Sequence, residues 1–488
     1  MNRQRFLAVS VAFFWLGFPG ALTAQRKAGE LKLEPYSFDG GRGEKVDAEM
    51  GRLTVPESRT RPSGRLVELR FVRFKSTAAA PGSPVVYLAG GPGGSGIASA
   101  RSGRFPLFMA MRDVGDVIAL DQRGTGLSEP RLVCPETLDY PLDRPGNREE
   151  MLHLMTGKAR SCAESFRSQG VDLSAYNTSE SADDLESLRA ALGAPKISLW
   201  SISYGTHLAL AALRRHEKGI DRVILAGVEG PDHTTKLPGN IQKALETVNE
   251  LMKKDPAVTS KIPDFISLIR QLGARLDQDP VTVETTEPRT REKVKVTLGR
   301  FDLELILAQS LGDSGAMLAY PALAYRMSQS DFSFLAQRVL QLRRYPLGLM
   351  MSYTMDCASG ASLERMAGIL REEKQTVLGR LIDLPFPEIC QAWGVPDLGA
   401  AFRSPVKSRV PTLFISGTLD ARTPVSNADE VRQGFPESAH LIIEGAAHSD
   451  DLFLSSPQIQ QVMLEFMKGQ KLSTTRITLP PPRFSTIP

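Results

Sequence analysis

The sequence predicts an α/β fold: a mostly parallel sheet with helices on both faces and a helical cap inserted into it. Three observations lead there. Short β-branched, largely apolar runs recur between turn residues, and most lack the alternation of a half-solvated strand, as expected of strands covered on both faces. Helical stretches separate several of them, and strands alternating with helices build a parallel sheet. From 236 to 405 the alternation stops and helical segments take over, until strand-like runs resume near 410.

At 488 residues, with 42% hydrophobic and 23% charged content, the chain is long enough to bury a full core. Its net charge of +4 comes from 59 basic and 55 acidic residues with no long basic run, which argues against a nucleic-acid or membrane-surface partner and for a small molecule or peptide.

In chain order, residues 1–24 read as a secretory signal: two arginines in "MNRQRF", the apolar stretch "LAVSVAFFWLGFPGALTA", then polar "QRKAGE". The alternative is an uncleaved N-terminal anchor. The chain is therefore expected in a secreted or periplasmic setting. Residues 25–235 form the first part of the core, with strand-like runs "GRLTVPE", "LVELRFVRF", "PVVYLAGG", "DVIALDQRG", "KISLWSISYG" and "DRVILAGVEG". Between them lie the helices "SADDLESLRAALG", read as opened by Ser181 with Asp184 three residues on, and "THLALAALRRHEKG". Residues 236–405 form the helical cap, with segments such as "NIQKALETVNELMKK", "PDFISLIRQLGARL", "RFDLELILAQSL" and "MLAYPALAYRMS". Residues 406–488 complete the core with "VPTLFISGTLD" and "HLIIEGAAH", and end in the extended, proline-rich "LPPPRFSTIP".

Cys134, Cys162, Cys357 and Cys390 make an even set that suits an oxidising compartment. Three pairings are open. Cys134 with Cys162 and Cys357 with Cys390 are favoured, because each closes a loop of about 30 residues, worth on the order of 3 kcal/mol. No CxxC or Cys/His cluster points to a metal.

The chemistry is read from three pieces. Ser203 follows the apolar run "ISLW" and precedes a helical run, the strand-turn-helix setting of a nucleophile elbow. Small flanking residues let strand and helix approach; Gly205 meets that demand, while the position usually glycine holds Ser201. Among six histidines, His207 and His216 lie on the helix leaving the elbow, His153 in an earlier helix, and His440 at a strand start; His233 falls where the cap begins. His448 sits in the loop after the last long strand-like run, where an α/β sheet carries catalytic groups. Asp420, also at a strand end, is the acid to orient it; its competitor Asp429 lies in the helical "VSNADEVRQGF". The order serine, acid, histidine is one that nucleophilic acyl transfer uses. The loop "YLAGGPGGSG" packs five glycines with Pro92 into residues 87–96 and can aim a backbone N–H above Ser203. It lacks the Gly-Lys-Ser/Thr ending of a phosphate loop.

Together "GGPGGSG" (90–96), "DQRGTGLSEP" (121–130), "SISYGTHLA" (201–209), "GTLDARTPV" (417–425) and "GAAHSDD" (445–451) resemble the prolyl-aminopeptidase branch of the α/β-hydrolases, and within it the secreted bacterial tripeptidyl-aminopeptidase-like enzymes. "MDCASG", "CQAWGVPD" and "LPPPRF" extend the resemblance over nearly the whole mature chain. It implies Ser203 as nucleophile, His448 as general base, Asp420 as its orienting acid, and the N–H groups of Gly91 and Tyr204 as an oxyanion hole. Acidic residues near the site hold the substrate amine in that group, with Glu229 and Asp356 as candidates here. The chain departs from the pattern at Ser201 and at Ala89, where proline iminopeptidases have histidine.

The expectation is a serine hydrolase cutting amide bonds near the free N-terminus of short peptides through an acyl-enzyme, with no cofactor. An ester hydrolase with the same triad is the alternative. A catalytically dead relative that only binds peptides is a third.

Overall fold

The computed structural model describes residues 27–344 and 346–487; the signal segment at 1–24 lies outside them. The strands are β1 (Leu31–Asp39), β2 (Lys45–Pro56), β3 (Leu66–Phe74), β4 (Val85–Leu88), β5 (Val117–Asp121), β6 (Val133–Thr137) and β7 (Ile197–Ser203). They continue with β8 (Ile220–Val228), β9 (Val281–Thr286), β10 (Lys293–Leu298), β11 (Pro346–Leu349), β12 (Thr412–Gly417), β13 (Ser438–Glu444) and β14 (Arg476–Thr478). Ten of them form one sheet in the order β1-β2-β3-β5-β4-β7-β8-β12-β13-β14. The first three pair antiparallel with one another and β3 pairs antiparallel with β5; from β5 to β14 every pairing is parallel.

Each of the eight strand-like runs holds a strand of this sheet. The continuous apolar ones, β4, β5 and β12, are buried along their whole length, because helices cover both sheet faces. β1 was not anticipated. It is a half-exposed edge strand with Pro35 inside it, a composition that an edge tolerates and a central strand does not. The helix expected to open at Ser181 instead starts at Thr178, on an Asn177 whose side chain accepts the Glu180 N–H. Ser181 and Asp184 are therefore buried inside that helix, where Asp184 binds the guanidinium of Arg123 through both carboxylate oxygens. An earlier capping pair, Asn177 and Glu180, competes with the later one and wins.

Between β8 and β12 the chain is mostly helical, but it does not pack as one layer. Residues from 241 to 340, with Val377, Leu378 and Leu381, build a separate apolar core that also contains the hairpin β9–β10. Met350, Met351, Met355, Cys357, Ile389 and Trp393 pack instead with the helices on one face of the sheet, and β11 pairs with β6. The disulfides join Cys134 to Cys162 and Cys357 to Cys390 within that second group. The separate core reaches the sheet through Leu419, Ala421 and Ala447. These three flank Asp420 and precede His448, so the packing of the insertion fixes the two loops that carry those residues. The C-terminal segment after β14 lies extended, with Phe484 and Ile487 against the same core.

Candidate active site

β7 ends on Ser203, and the helix Tyr204–His216 starts at the next residue. Ser203 has φ +54° and ψ −128°, a left-handed conformation that costs a non-glycine residue about 1–3 kcal/mol and persists only where surrounding structure enforces it. Two constraints are visible. A Cβ on Gly205 would lie 2.2 Å from the Leu88 carbonyl oxygen, so only glycine lets the helix start this close to β4. The Thr206 hydroxyl donates to the Ser203 carbonyl at 2.7 Å and accepts the Glu229 N–H at 2.8 Å, tying the elbow to the end of β8.

Ser201 is more than a small residue in a tight place. Its buried hydroxyl donates to the Ile224 carbonyl of β8 at 2.7 Å. Glycine there would leave the close approach intact and remove one hydrogen bond.

Asp420 and His448 follow β12 and β13, on loops at the same edge of the sheet. The Asp420 carboxylate accepts from the N–H groups of Arg422 (2.9 Å) and Thr423 (2.8 Å), from the Thr423 hydroxyl (2.7 Å), and stands 2.7 Å from His448 Nδ1. Burial alone would push this carboxyl up; the neighbouring His448 ring and the Thr423 donors outweigh burial and hold it below the usual range. Nδ1 facing the carboxylate leaves Nε2 as the acceptor for a hydroxyl proton. Among the described residues neither Ser203 Oγ nor His448 Nε2 is in a protein hydrogen bond, a separation common in resting sites. The end of β8 is pared down to admit the ring: a Cβ on Gly227, at φ +59°, would lie 3.0 Å from His448 Cε1.

The other histidines are engaged elsewhere. His207 is buried between the Gly230 carbonyl and the Ser359 hydroxyl, His216 pairs with Asp183, His233 with Glu430, and His440 with Ser416. His153 is exposed on the helix Arg148–Ser168. Asp429 lies on the helix Val425–Arg432 with its side chain 58% exposed, beside Arg432.

The glycine loop lies against the elbow. A Cβ on Gly90 would meet Ser203 Cβ at 2.9 Å, and Gly91 has φ +123°. The Gly91 N–H donates to no group among the described residues, and the Tyr204 N–H opens a helix, so it has no partner within it. Two residues of "DQRG" hold this loop. Asp121 accepts from the Ser95 hydroxyl and from the Ile97 and Leu127 N–H groups; Gln122 donates to the Ala89 carbonyl at 3.1 Å.

An acidic cavity of about 370 Å³ is lined by Asp356, whose charge acts on the buried Tyr204 hydroxyl, and by Asp383, the Cys357–Cys390 disulfide and Phe386 among others. Asp356 makes no side-chain hydrogen bond among the described residues. Burial, with the charges of Glu229 and Asp383 beside it, raises its pKa well above the usual carboxylate value. Glu229 is deeper and already bound: Lys236 Nζ sits 2.6 Å from its carboxylate. Asp383 escaped the sequence reading. One of its oxygens accepts the Lys236 N–H at 2.8 Å, the other is buried without a partner, and burial pushes its pKa up to about 7. It ends the short 3-10 turn Leu381–Asp383, far along the chain from Glu229, and nothing local in the sequence marks it.

The family model described as the alpha/beta hydrolase fold matches residues 83–452. Over 188 residues the chain is 30% identical to the serine protease Hip1 of Mycobacterium tuberculosis, a match covering 37% of this chain and 36% of that protein. It is 28% identical over 198 residues to the tripeptidyl aminopeptidase of Streptomyces coelicolor, covering 38% and 35%. The matches thus span about a third of the length of these curated relatives. Among solved structures, the proline iminopeptidase-related protein of Thermus thermophilus aligns with a TM-score of 0.38 and 17% identity, over 87% of this chain and 98% of that one.

Proposed function

The chain belongs to the α/β-hydrolase family, and from that premise we propose that it is a serine peptidase releasing residues from the free N-terminus of short peptides. The observation that carries the reading is Ser203 held at φ +54° on a strand end, with the hydrogen-bonded pair Asp420–His448 on neighbouring strand ends. In this reading His448 Nε2 takes the hydroxyl proton as Ser203 Oγ attacks the peptide carbonyl. The N–H groups of Gly91 and Tyr204 receive the developing oxyanion, each worth about 3–4 kcal/mol of barrier. The imidazolium, stabilised by Asp420, then protonates the leaving nitrogen, and a water repeats the cycle on the acyl-enzyme.

The acidic cavity narrows the substrate. A protonated amine entering it meets Asp356 and the unpartnered oxygen of Asp383, whereas Glu229 is neutralised by Lys236 and acts through it. An acyl group with no cation gains nothing there, which favours peptides over simple esters. The helices between β8 and β12 restrict access to short chains. Two disulfides suit a secreted or periplasmic setting, and among the described residues no helix is long and apolar enough to cross a membrane.

The test compares peptidyl arylamides bearing a free amine with their N-acetylated forms and with short acyl esters, alongside fluorophosphonate labelling of the parent and Ser203→Ala. Labelling lost in the variant and a strong preference for free-amine amides are expected. Rapid ester turnover with inert amides would sink the peptidase reading, and absence of labelling in folded protein would sink the hydrolase reading.

A further inference from the structure

A second cleft, of about 630 Å³, opens on His448 from the side of the insertion. Its wall is one face of the helix Ser314–Ser328, where Ala316, Ala319, Tyr320 and Leu323 recur at helical spacing. The two alanines leave room that larger side chains would fill. From Ala316 to Leu323 the helix rises about 10 Å at ~1.5 Å per residue. At ~3.3 Å per residue, that accommodates about three residues of extended peptide.

The charge of this cleft is opposite to that of the acidic cavity. Arg422 and Arg338 both line it, and the charge of each acts on the Tyr320 hydroxyl. Arg422 donates to the Gln309 carbonyl at 2.7 Å and Arg338 to the Gln341 side chain at 3.0 Å. Among the described residues neither guanidinium has a carboxylate within ion-pair distance. Arg422 is also desolvated: burial lowers its pKa even with Asp420 near it. Gly312 leaves it space, since a Cβ there would lie 2.6 Å from its Nε. Asp313, the one acid lining the cleft among the described residues, caps the helix by accepting the Ala316 N–H at 2.8 Å. Asp420 and Asp383 act on Arg422 from beyond ion-pair distance, and a partly buried guanidinium with unused donors and no direct carboxylate partner favours an anionic ligand.

The reaction says which part of a substrate comes here. His448 must hand its proton to the leaving nitrogen, so the departing segment lies on the His448 side of Ser203, while the amine end lies toward Asp356. We propose that this cleft receives the leaving peptide and that Arg422, with Arg338 beyond it, binds the C-terminal carboxylate. The inference rests on the peptidase reading above. It makes the enzyme selective for peptides that are short and end in a free acid.

The experiment uses one peptide sequence with a free-acid and an amidated C-terminus, and an arylamide of the same acyl part as a reference whose leaving group has no carboxylate. For the parent enzyme the acid is expected to exceed the amide in kcat/KM by about tenfold or more, the worth of one charge-assisted hydrogen bond. In Arg422→Gln the ratio falls toward one, mainly through KM of the acid; Arg422→Lys keeps part of it, and Arg338→Gln, at an exposed site, lowers it less. Equal cleavage of acid and amide by the parent overturns the proposal alone. So does a parallel loss on acid, amide and arylamide in Arg422→Gln, which marks a structural role. Failure to cleave any of the three amides, with esters still turned over, overturns the peptidase reading and this inference together.

Discussion

Around Asp420, four hydrogen bonds from three residues converge on one carboxylate, whereas among the described residues the Asp356 carboxylate has none and Asp383 keeps one buried oxygen without a partner. The two regions differ because they meet opposite demands. In the proposed reaction Asp420 stays ionised and fixed while the imidazole beside it gains and loses a charge, and the fold supplies donors that hold its carboxyl below the usual range. In the same proposal the acidic cavity holds the substrate's ammonium. Burial raises both carboxyls, helped at Asp356 by the charges of Glu229 and Asp383, so an ammonium bound beside them would favour their ionised form.

Breaking the saturated region has the largest expected effect. Ser203→Ala should lower kcat by at least about 10⁴-fold with circular dichroism and melting temperature near those of the parent. Asp420→Asn should follow, with a loss on the order of 10³–10⁴-fold, because it lets the imidazole take the wrong tautomer while leaving the fold intact. A loss under tenfold would show that Asp420 does not orient His448.

Changes in the unsaturated region should act on binding instead. Asp356→Asn should raise KM for free-amine peptides by about ten- to a hundredfold and leave the N-acetylated forms unmoved. Asp383 adds a signature in pH. Its carboxyl ionises near the ordinary value in the unfolded chain but only at about 7 in the folded one. Between those values the folded chain holds a proton that the unfolded chain has released, so this group's contribution to stability is present at low pH and is lost as pH rises through 7. Melting curves from pH 4.5 to 8 should therefore show a smaller decline for Asp383→Asn than for the parent; parallel curves would place the ionisation elsewhere. The smallest effect is expected from Ser201→Gly. It removes the bond to the Ile224 carbonyl and should cost about 1 kcal/mol of stability with little change in kcat.

Much of the site was legible because it is local. Ser203, Asp420 and His448 each follow an apolar run and sit at a strand end, and a strand, its turn and the next helix are adjacent in sequence. The glycines of the 90–96 loop were legible for the same reason. Other features depend on neighbours that the sequence does not place. The partner of Ser201 is a carbonyl on the next strand, and the start of the helix at Thr178 is ambiguous in sequence because two capping signals stand four residues apart. The hairpin β9–β10 lies in a stretch whose other segments are helical, and its half-exposed strands carry little apolar pattern.

By itself the sequence determined eight strands of the main sheet, the elbow, and the loops that end at Asp420 and His448, since hydrophobic period and turn chemistry act over a few residues. The tertiary structure decided which charged groups share a cavity. Lys236 reaches both Glu229 and Asp383, Arg422 faces a helix from the insertion, and Leu419, Ala421 and Ala447 lock the site's loops into a core built mostly by residues 241–340. Those assignments follow from distances in the folded chain, where burial sets how strongly two charges act on each other, and no spacing along the sequence encodes them.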